Sequence, residues 1–315
     1  MSLQRSSLRV WTAYTIDFIR LGRFPFLTGG FILYALGAII AAYEGAKVNW
    51  LVYICGQIIV TATQLMVHYA NDYYDLAADR LNRISTMWSG GSRVLVDGEL
   101  PPRVAQITAI GCGLIALIGS VLLIVADQNI MIGLLLFPAI ILSWFYSAPP
   151  VRLHSHGIGE VSATLVVAVL TPLTAYYLQA GRLTLLPIVA VIPISLLQFN
   201  MLISVAMPDM EGDALAGKQT LVVRYGRKAA ANIYLCALIL AYALLPIWIV
   251  AGLPTLVAGG FSLSLFLSMP LGWWMWRGAW SRPAAYGWIA FMSIALLIAA
   301  AVLETFTFAL MTAAR

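Results

Sequence analysis

Charge is scarce in this chain: only 10% of its 315 residues are Asp, Glu, Lys or Arg, against roughly a quarter in soluble domains. With 62% of the residues hydrophobic, an ordinary soluble domain is excluded. Cysteine is nearly absent. Cys55, Cys112 and Cys236 stand alone in apolar runs without CxxC spacing, so neither a zinc site nor a disulfide framework is expected. No small-residue cleavage site closes a short apolar region behind Arg5, Arg9, Arg20 and Arg23, which argues against a removable signal peptide. No segment is low-complexity in the sense that marks disorder.

What the chain does have is long apolar runs. A bilayer core about 30 Å thick takes about 20 mostly apolar residues per helix, and such runs are read at 24–43, 48–70, 103–126, 130–146, 158–180, 184–207, 229–251, 254–276 and 284–311. The expectation is an all-α polytopic bundle of about nine transmembrane helices. It forms one membrane-embedded domain over 1–315, with 1–23 as a cytoplasmic N-terminal segment. The net charge of +5 could suggest nucleic acid, but its distribution reads as topology. With the N-terminus inside, 15 of the 18 Lys and Arg residues fall on one side, leaving only Lys47, Arg182 and Arg315 opposite. The positive-inside rule makes the rich side cytoplasmic. No nucleic-acid partner is expected.

The two longest loops on that side, 71–102 and 208–228, each open on an acidic cluster at the end of an apolar run. Asp72, Asp75 and Asp79 fall at i, i+3 and i+7, one face of a 3.6-residue helix, and Asp209 and Asp213 stand four apart. Like charges at this spacing repel, at the edge of a medium where ionised groups are costly. A cation would offset the repulsion. Several hard oxygen ligands suit Mg²⁺, which shares its shell between one or two carboxylates, water and substrate phosphates. Either cluster alone could be a solvated helix end. Two on one side, each followed by basic residues, point to a diphosphate.

Diphosphate leaves only when its growing charge is neutralised. Lys218, five residues after Asp213, is the first candidate for that work, with Arg80, Arg93 and Arg224 behind it. For Lys218 and Arg80 the plain alternative is a topology or headgroup anchor.

The Asn71-Asp72-x-x-Asp75-x-x-x-Asp79 motif, paired with Asp209-x-x-x-Asp213, resembles the UbiA superfamily of intramembrane prenyltransferases over essentially residues 20–310. Gly90-Gly91-Ser92-Arg93-Val94-Leu95, and Tyr146-Ser147-Ala148-Pro149-Pro150-Val151-Arg152 through Gly157-Ile158-Gly159-Glu160, resemble the 1,4-dihydroxy-2-naphthoate prenyltransferases within it. Many of those space the last aspartate of the first motif further along than Asp79. The resemblance implies nine transmembrane helices under a cytoplasmic cap. It also implies that Asn71, Asp72, Asp75, Asp79, Asp209 and Asp213 hold Mg²⁺-diphosphate while Lys218 contacts the diphosphate. The expected reaction transfers an isoprenyl group from a polyprenyl diphosphate to an aromatic quinone precursor. That precursor would be 1,4-dihydroxy-2-naphthoate in menaquinone synthesis, with 4-hydroxybenzoate, another aromatic or a lipid alcohol as alternatives.

Further polar residues sit in apolar surroundings. His68 shares the aspartate face one turn deeper, where it could order a carboxylate or act as a base beside the acceptor; a satisfied core histidine is the alternative. Gln64 lies a turn below. Gln198 and Asn200 stand at a comparable depth before Asp209, where hydrogen bonds between helices are their ordinary use; Asn200 is also a substrate-binding candidate. Tyr146, with Arg152 after the turn that follows it, is the best-placed aromatic to meet an allylic cation. His154 and His156 are expected to be solvated, and Glu304 is read as a polar helix contact. Of the rival classes, a cation-coupled transporter would carry its acids at mid-membrane rather than at helix ends. A CDP-alcohol phosphotransferase would leave the second acidic cluster unexplained.

Overall fold

The computed structural model describes residues 2–315, with side chains from Thr12 onward. The side chains of Arg5 and Arg9, counted above as cytoplasmic charge, lie outside the described residues. The described residues form helices and no strands: α1 Ser2–Leu21, α2 Leu27–Tyr43, α3 Trp50–Tyr74, α4 Leu76–Leu81, α5 Pro102–Asp127 and α6 Ile130–Ser147. These are followed by α7 Gly159–Ala180, then α8 Leu185–Ala206, α9 Met210–Leu215, α10 Leu221–Ala243, α11 Leu245–Val250, α12 Thr255–Ser262, α13 Leu265–Trp276 and α14 Tyr286–Ala313.

By length and composition seven segments can cross a membrane, and the pair α12–α13, bent by 49°, makes an eighth. The ninth expected span, 229–251, is occupied by α10 and α11. Neither helix is among the segments long and apolar enough by that measure: α10 opens on Arg224, Arg227 and Lys228 around a non-helical Gly226 (φ 78°), and a break at Leu244 separates it from the short α11. Helix α1 was not anticipated in the N-terminal segment. Arg20 ties it to the 82–101 loop through Glu99 (2.8 Å), and Phe18 stacks on Tyr69 at 5.4 Å.

Local chemistry starts and stops these helices. Asn49 caps α3 by accepting from the Leu51 and Val52 amides, and Asn129 caps α6 by accepting from Met131 N, in the way short polar side chains satisfy orphan helix donors. Gly181, at φ 67°, closes α7. Bare backbone sets one close contact: a Cβ on Gly37 would lie 1.9 Å from the Pro172 carbonyl oxygen, so only glycine lets α2 meet α7 there. Upstream of Pro172, residues Leu165–Leu170 widen into a π-turn, and Thr171 returns its hydroxyl to the Val166 carbonyl. Large apolar side chains on the outer faces of α5, among them Ile107, Ile118, Leu122 and Val125, are exposed, as a lipid-facing surface requires.

Candidate active site

The last turn of α3 and the short α4 deliver the first acidic cluster, and the 207–213 segment delivers the second. Helix α3 breaks at Asp75, which ends α3 and starts α4, yet the carboxylates stay together at the mouth of one cavity. That cavity, about 440 Å³, is lined at its mouth by Asn71, Asp75, Asp79, Asp209, Asp213 and Lys218. Deeper walls are apolar, with Val60, Val67, Leu136, Leu142, Val166 and Leu297 among them. From Asn71 down to Val60 the helical rise of 1.5 Å per residue gives a depth of about 16 Å.

Lys218 joins the two clusters. Its Nζ lies 2.7 Å from Asp75 Oδ2 and 3.1 Å from Asp213 Oδ1, with its side chain only 11% exposed. Burial works against its charge, but Asp75 and Asp213 hold its pKa above the ordinary lysine value. Burial likewise works against the Asp75 carboxylate, and the Lys218 and His154 contacts hold it below the usual range. Compensation falls short of burial at the other acids. Burial, then the charges of Asp75 and Asp72, push Asp79 up to about 8, and burial with the neighbouring Asp213 pushes Asp209 up to about 7. Burial also raises Asp213, against the pull of Lys218.

The cap loop supplies donors to the same carboxylates. Asn82 Nδ2 donates to Asp209 Oδ1 at 2.7 Å and Gly90 N to Asp209 Oδ2 at 3.1 Å. Ser92 donates both its amide (3.0 Å) and its hydroxyl to Asp72 Oδ2. Gly91 lies so close that a Cβ there would stand 2.3 Å from Asp79 Oδ2. Asp72 Oδ1 remains buried without a partner.

Among the described residues no three His, Cys, Asp or Glu side chains converge tightly enough to hold a metal alone. The donor set nevertheless fits Mg²⁺, which takes few protein oxygens and completes its shell from water and substrate phosphate. The orphaned Asp72 oxygen and the raised Asp79 and Asp209 mark uncompensated acidity that a hard cation would relieve.

Other anticipated residues fall in different places. Tyr146 and His68 line the cavity, and Asn71 accepts from the Ser147 hydroxyl at 3.4 Å. Arg80, Arg152 and Arg224 are exposed and do not line it, so their placement does not support a role in neutralising the diphosphate. One residue past Asp79, the helix has turned Arg80 about 100° away. Arg93 is spent on the Asp79 carbonyl oxygen (2.7 Å) and on Asp97. Asn200 is buried outside the cavity wall, its amide atoms unpartnered.

Two residues were underrated in the sequence. His154, expected to be solvated, is buried. Its Nε2 lies 2.8 Å from Asp75 Oδ1 and its Nδ1 3.0 Å from the Ser155 hydroxyl. His156 is exposed and bonds only the Arg152 carbonyl. Glu160, noted only within a submotif, accepts from Leu221 N at 3.0 Å and so caps α10 from the first turn of α7.

The chain resembles known proteins in sequence and in fold. The profile of the UbiA prenyltransferase family matches residues 30–297. The 1,4-dihydroxy-2-naphthoate octaprenyltransferase of Bacillus subtilis (strain 168) is 24% identical over 244 residues, covering 78% of this chain and 76% of that protein. The chloroplastic 2-carboxy-1,4-naphthoquinone phytyltransferase of Arabidopsis thaliana is 29% identical over 218 residues, covering 65% of this chain and 53% of that protein. A UbiA homologue from Archaeoglobus fulgidus, solved with GPP and Mg²⁺, superposes with a TM-score of 0.63 at 17% identity, covering 91% of this chain and 99% of that one.

Proposed function

Because the chain belongs to the UbiA prenyltransferase family, we propose that it transfers an isoprenyl group from a polyprenyl diphosphate to 1,4-dihydroxy-2-naphthoate, with Mg²⁺ as cofactor. The observation that carries the reading is Lys218, bridging Asp75 and Asp213 at the acidic mouth of an otherwise apolar cavity. The relatives in Bacillus subtilis and Arabidopsis thaliana, both named for carboxylated naphthalene acceptors, support the choice of acceptor. The asymmetry of basic residues supports a cytoplasmic mouth and N-terminus.

Asp72, Asp75, Asp79, Asp209 and Asp213 would hold Mg²⁺, which when bound neutralises diphosphate charge. Lys218 adds a compact ammonium whose attraction grows as the prenyl C–O bond breaks and charge collects on the leaving oxygen. Asn71 offers an amide at the same rim. The isoprenyl tail lies along the apolar wall, which keeps water from the allylic cation, and the Tyr146 ring presents a π-face to it. An electron-rich ring carbon of the acceptor then takes the cation. Loss of CO₂ from the carboxylated carbon, or of a proton elsewhere, restores aromaticity.

The test is product mass. Membranes carrying the protein are incubated with Mg²⁺, a labelled prenyl diphosphate and a panel of dihydroxynaphthoate, 4-hydroxybenzoate and a lipid alcohol. The expected product is a prenylated 1,4-dihydroxynaphthalene. Labelled product from another acceptor alone overturns the acceptor assignment, and no product from any overturns the reaction.

A further inference from the structure

One part of the cavity wall gathers charged, polar and aromatic side chains around a single ring. Arg23, Phe26, Gln64, His68 and Trp88 all line it. Phe26 forms its centre: the His68 ring stands edge-on at 6.3 Å, the Trp88 ring at 6.0 Å, and the Arg23 guanidinium lies 4.6 Å over its face. Resting on the proposed prenyl transfer, we infer that this wall is the acceptor subsite and takes a planar hydroxyaryl carboxylic acid, Arg23 holding the carboxylate and His68 the adjacent hydroxyl.

The polar atoms are set for that ligand. His68 Nδ1 lies 2.9 Å from the Gly22 carbonyl oxygen, an oxygen that only accepts, so Nδ1 carries the hydrogen. In the neutral ring this leaves Nε2 with a free lone pair. Arg23 spends one N–H on the Trp88 carbonyl (3.2 Å) and stacks on Phe26, which fixes the plane of its fork and leaves further donors for a carboxylate. It reaches this position from a left-handed backbone (φ 49°), a conformation uncommon for a residue with a Cβ. Both groups flank the same Phe26 ring, as a carboxylate and hydroxyl on neighbouring ring carbons require. One turn deeper, the Gln64 amide oxygen is buried without a partner, and only glycine at position 30 leaves room for that amide, since a Cβ there would lie 2.1 Å from Gln64 Oε1. It is free to accept from a second hydroxyl.

The placement gives His68 a defined task. As the ring carbon bearing the carboxylate forms its bond to prenyl C1, the C–O electron pair leaves with the diphosphate. The neighbouring hydroxyl passes its proton to His68 Nε2 and becomes a ketone. The carboxylate, now β to a carbonyl, departs as CO₂; its bonding pair returns to the ring, the ketone oxygen becomes an enolate and recovers the proton from His68. Carbon, charge and proton balance without a further reactant.

Two variants test it: Arg23→Gln, and His68→Asn, which keeps a donor for the Gly22 carbonyl while removing the acceptor nitrogen. Each is assayed for Mg²⁺-dependent binding of labelled prenyl diphosphate, and for steady-state prenylation of dihydroxynaphthoate and of 1,4-dihydroxynaphthalene, which lacks the carboxylate. Arg23→Gln is expected to raise the KM for dihydroxynaphthoate about 10- to 100-fold and leave that for dihydroxynaphthalene unchanged. His68→Asn is expected to lower kcat on both acceptors by about 10²–10⁴-fold. Prenyl diphosphate binding should match wild type in both variants, which also shows them folded. Weakened prenyl diphosphate binding in Arg23→Gln with unchanged acceptor KM assigns Arg23 to the diphosphate and overturns the subsite, as does wild-type kcat in His68→Asn. Failure of the wild-type protein to prenylate either arene removes the proposed function itself, an outcome distinct from these.

Discussion

Lys218 carries two burdens, and removing it separates them. In the free protein its ammonium compensates Asp75 and Asp213 at 2.7 and 3.1 Å; during transfer it would turn to the leaving diphosphate. Lys218→Met keeps much of the stem and deletes the charge. Breaking a buried pair from one side typically costs about 3–5 kcal/mol, and the His154 bond left on Asp75 points to the lower part of that range. Losing one electrostatic donor to a developing anion costs roughly 10²–10³ in rate. The variant is therefore expected to melt earlier in detergent and to turn over about 10²–10³-fold more slowly per folded molecule in a single-turnover assay. Adding Asp213→Asn removes an uncompensated carboxylate and should restore much of the stability without restoring the rate, since neutral partners do nothing for the diphosphate. Lys218→Arg should recover only part of the rate, because a planar fork does not reproduce a compact ammonium. An unchanged rate per folded molecule in Lys218→Met refutes the catalytic assignment and leaves Lys218 as a brace between two helix ends.

Asp72→Ala or Asp209→Ala should abolish transfer with the protein still inserted in the membrane, and prenylation near the wild-type rate in either variant would sink the two-cluster site. EDTA should stop turnover and Mg²⁺ restore it; activity that persists in chelator removes the metal. Asp79 (about 8) and Asp209 (about 7) are raised above the ordinary carboxylate value, so between about pH 4 and 8 the folded state binds more protons than the unfolded one. Metal-free protein should lose stability as pH rises through that window, while Mg²⁺ affinity, which requires the deprotonated oxygens, should increase over it; melting scans with and without Mg²⁺ check both signs. Arg152→Ala, at an exposed position off the cavity, should change turnover by no more than about twofold, the scale of ordinary surface substitutions.

What the sequence made legible was the chemistry with a period. Asp72, Asp75, Asp79, Asp209 and Asp213 stood out because carboxylates at helical spacing beside apolar runs are expensive unless used, and all five meet at one cavity rim or in its cap. Residues read by nearness along the chain fared worse. Arg80 follows Asp79 directly, yet a single helical step turns it outward, and Arg152 leaves the Pro149-Pro150 turn in a left-handed conformation (φ 46°) that keeps it exposed. His154 lies only two residues further on, and the short helical turn over Leu153–His156 carries it inward to Asp75. No periodicity marks such a turn. Arg23 looked like one more topology charge until the close of α1 and the start of α2 set it over Phe26.

The cap loop is the part of the site that sequence patterns expose least, and it explains how five carboxylates share one mouth. Asn82, Gly90 and Ser92 donate to Asp209 and Asp72, while Lys218 and His154 take Asp75 and Asp213. Each of these five acids other than Asp79 thus has a donor, and burial with the charges of Asp75 and Asp72 pushes Asp79 up to about 8. Gly91 is packed against that Asp79 carboxylate at a distance no Cβ could tolerate, in a left-handed conformation (φ 70°) that also favours glycine. A side chain at position 91 would displace either the loop or the aspartate. The Gly90-Gly91-Ser92 stretch is therefore best understood as the surface against which the first acidic cluster is held: two glycines for close approach, and a serine to anchor Asp72.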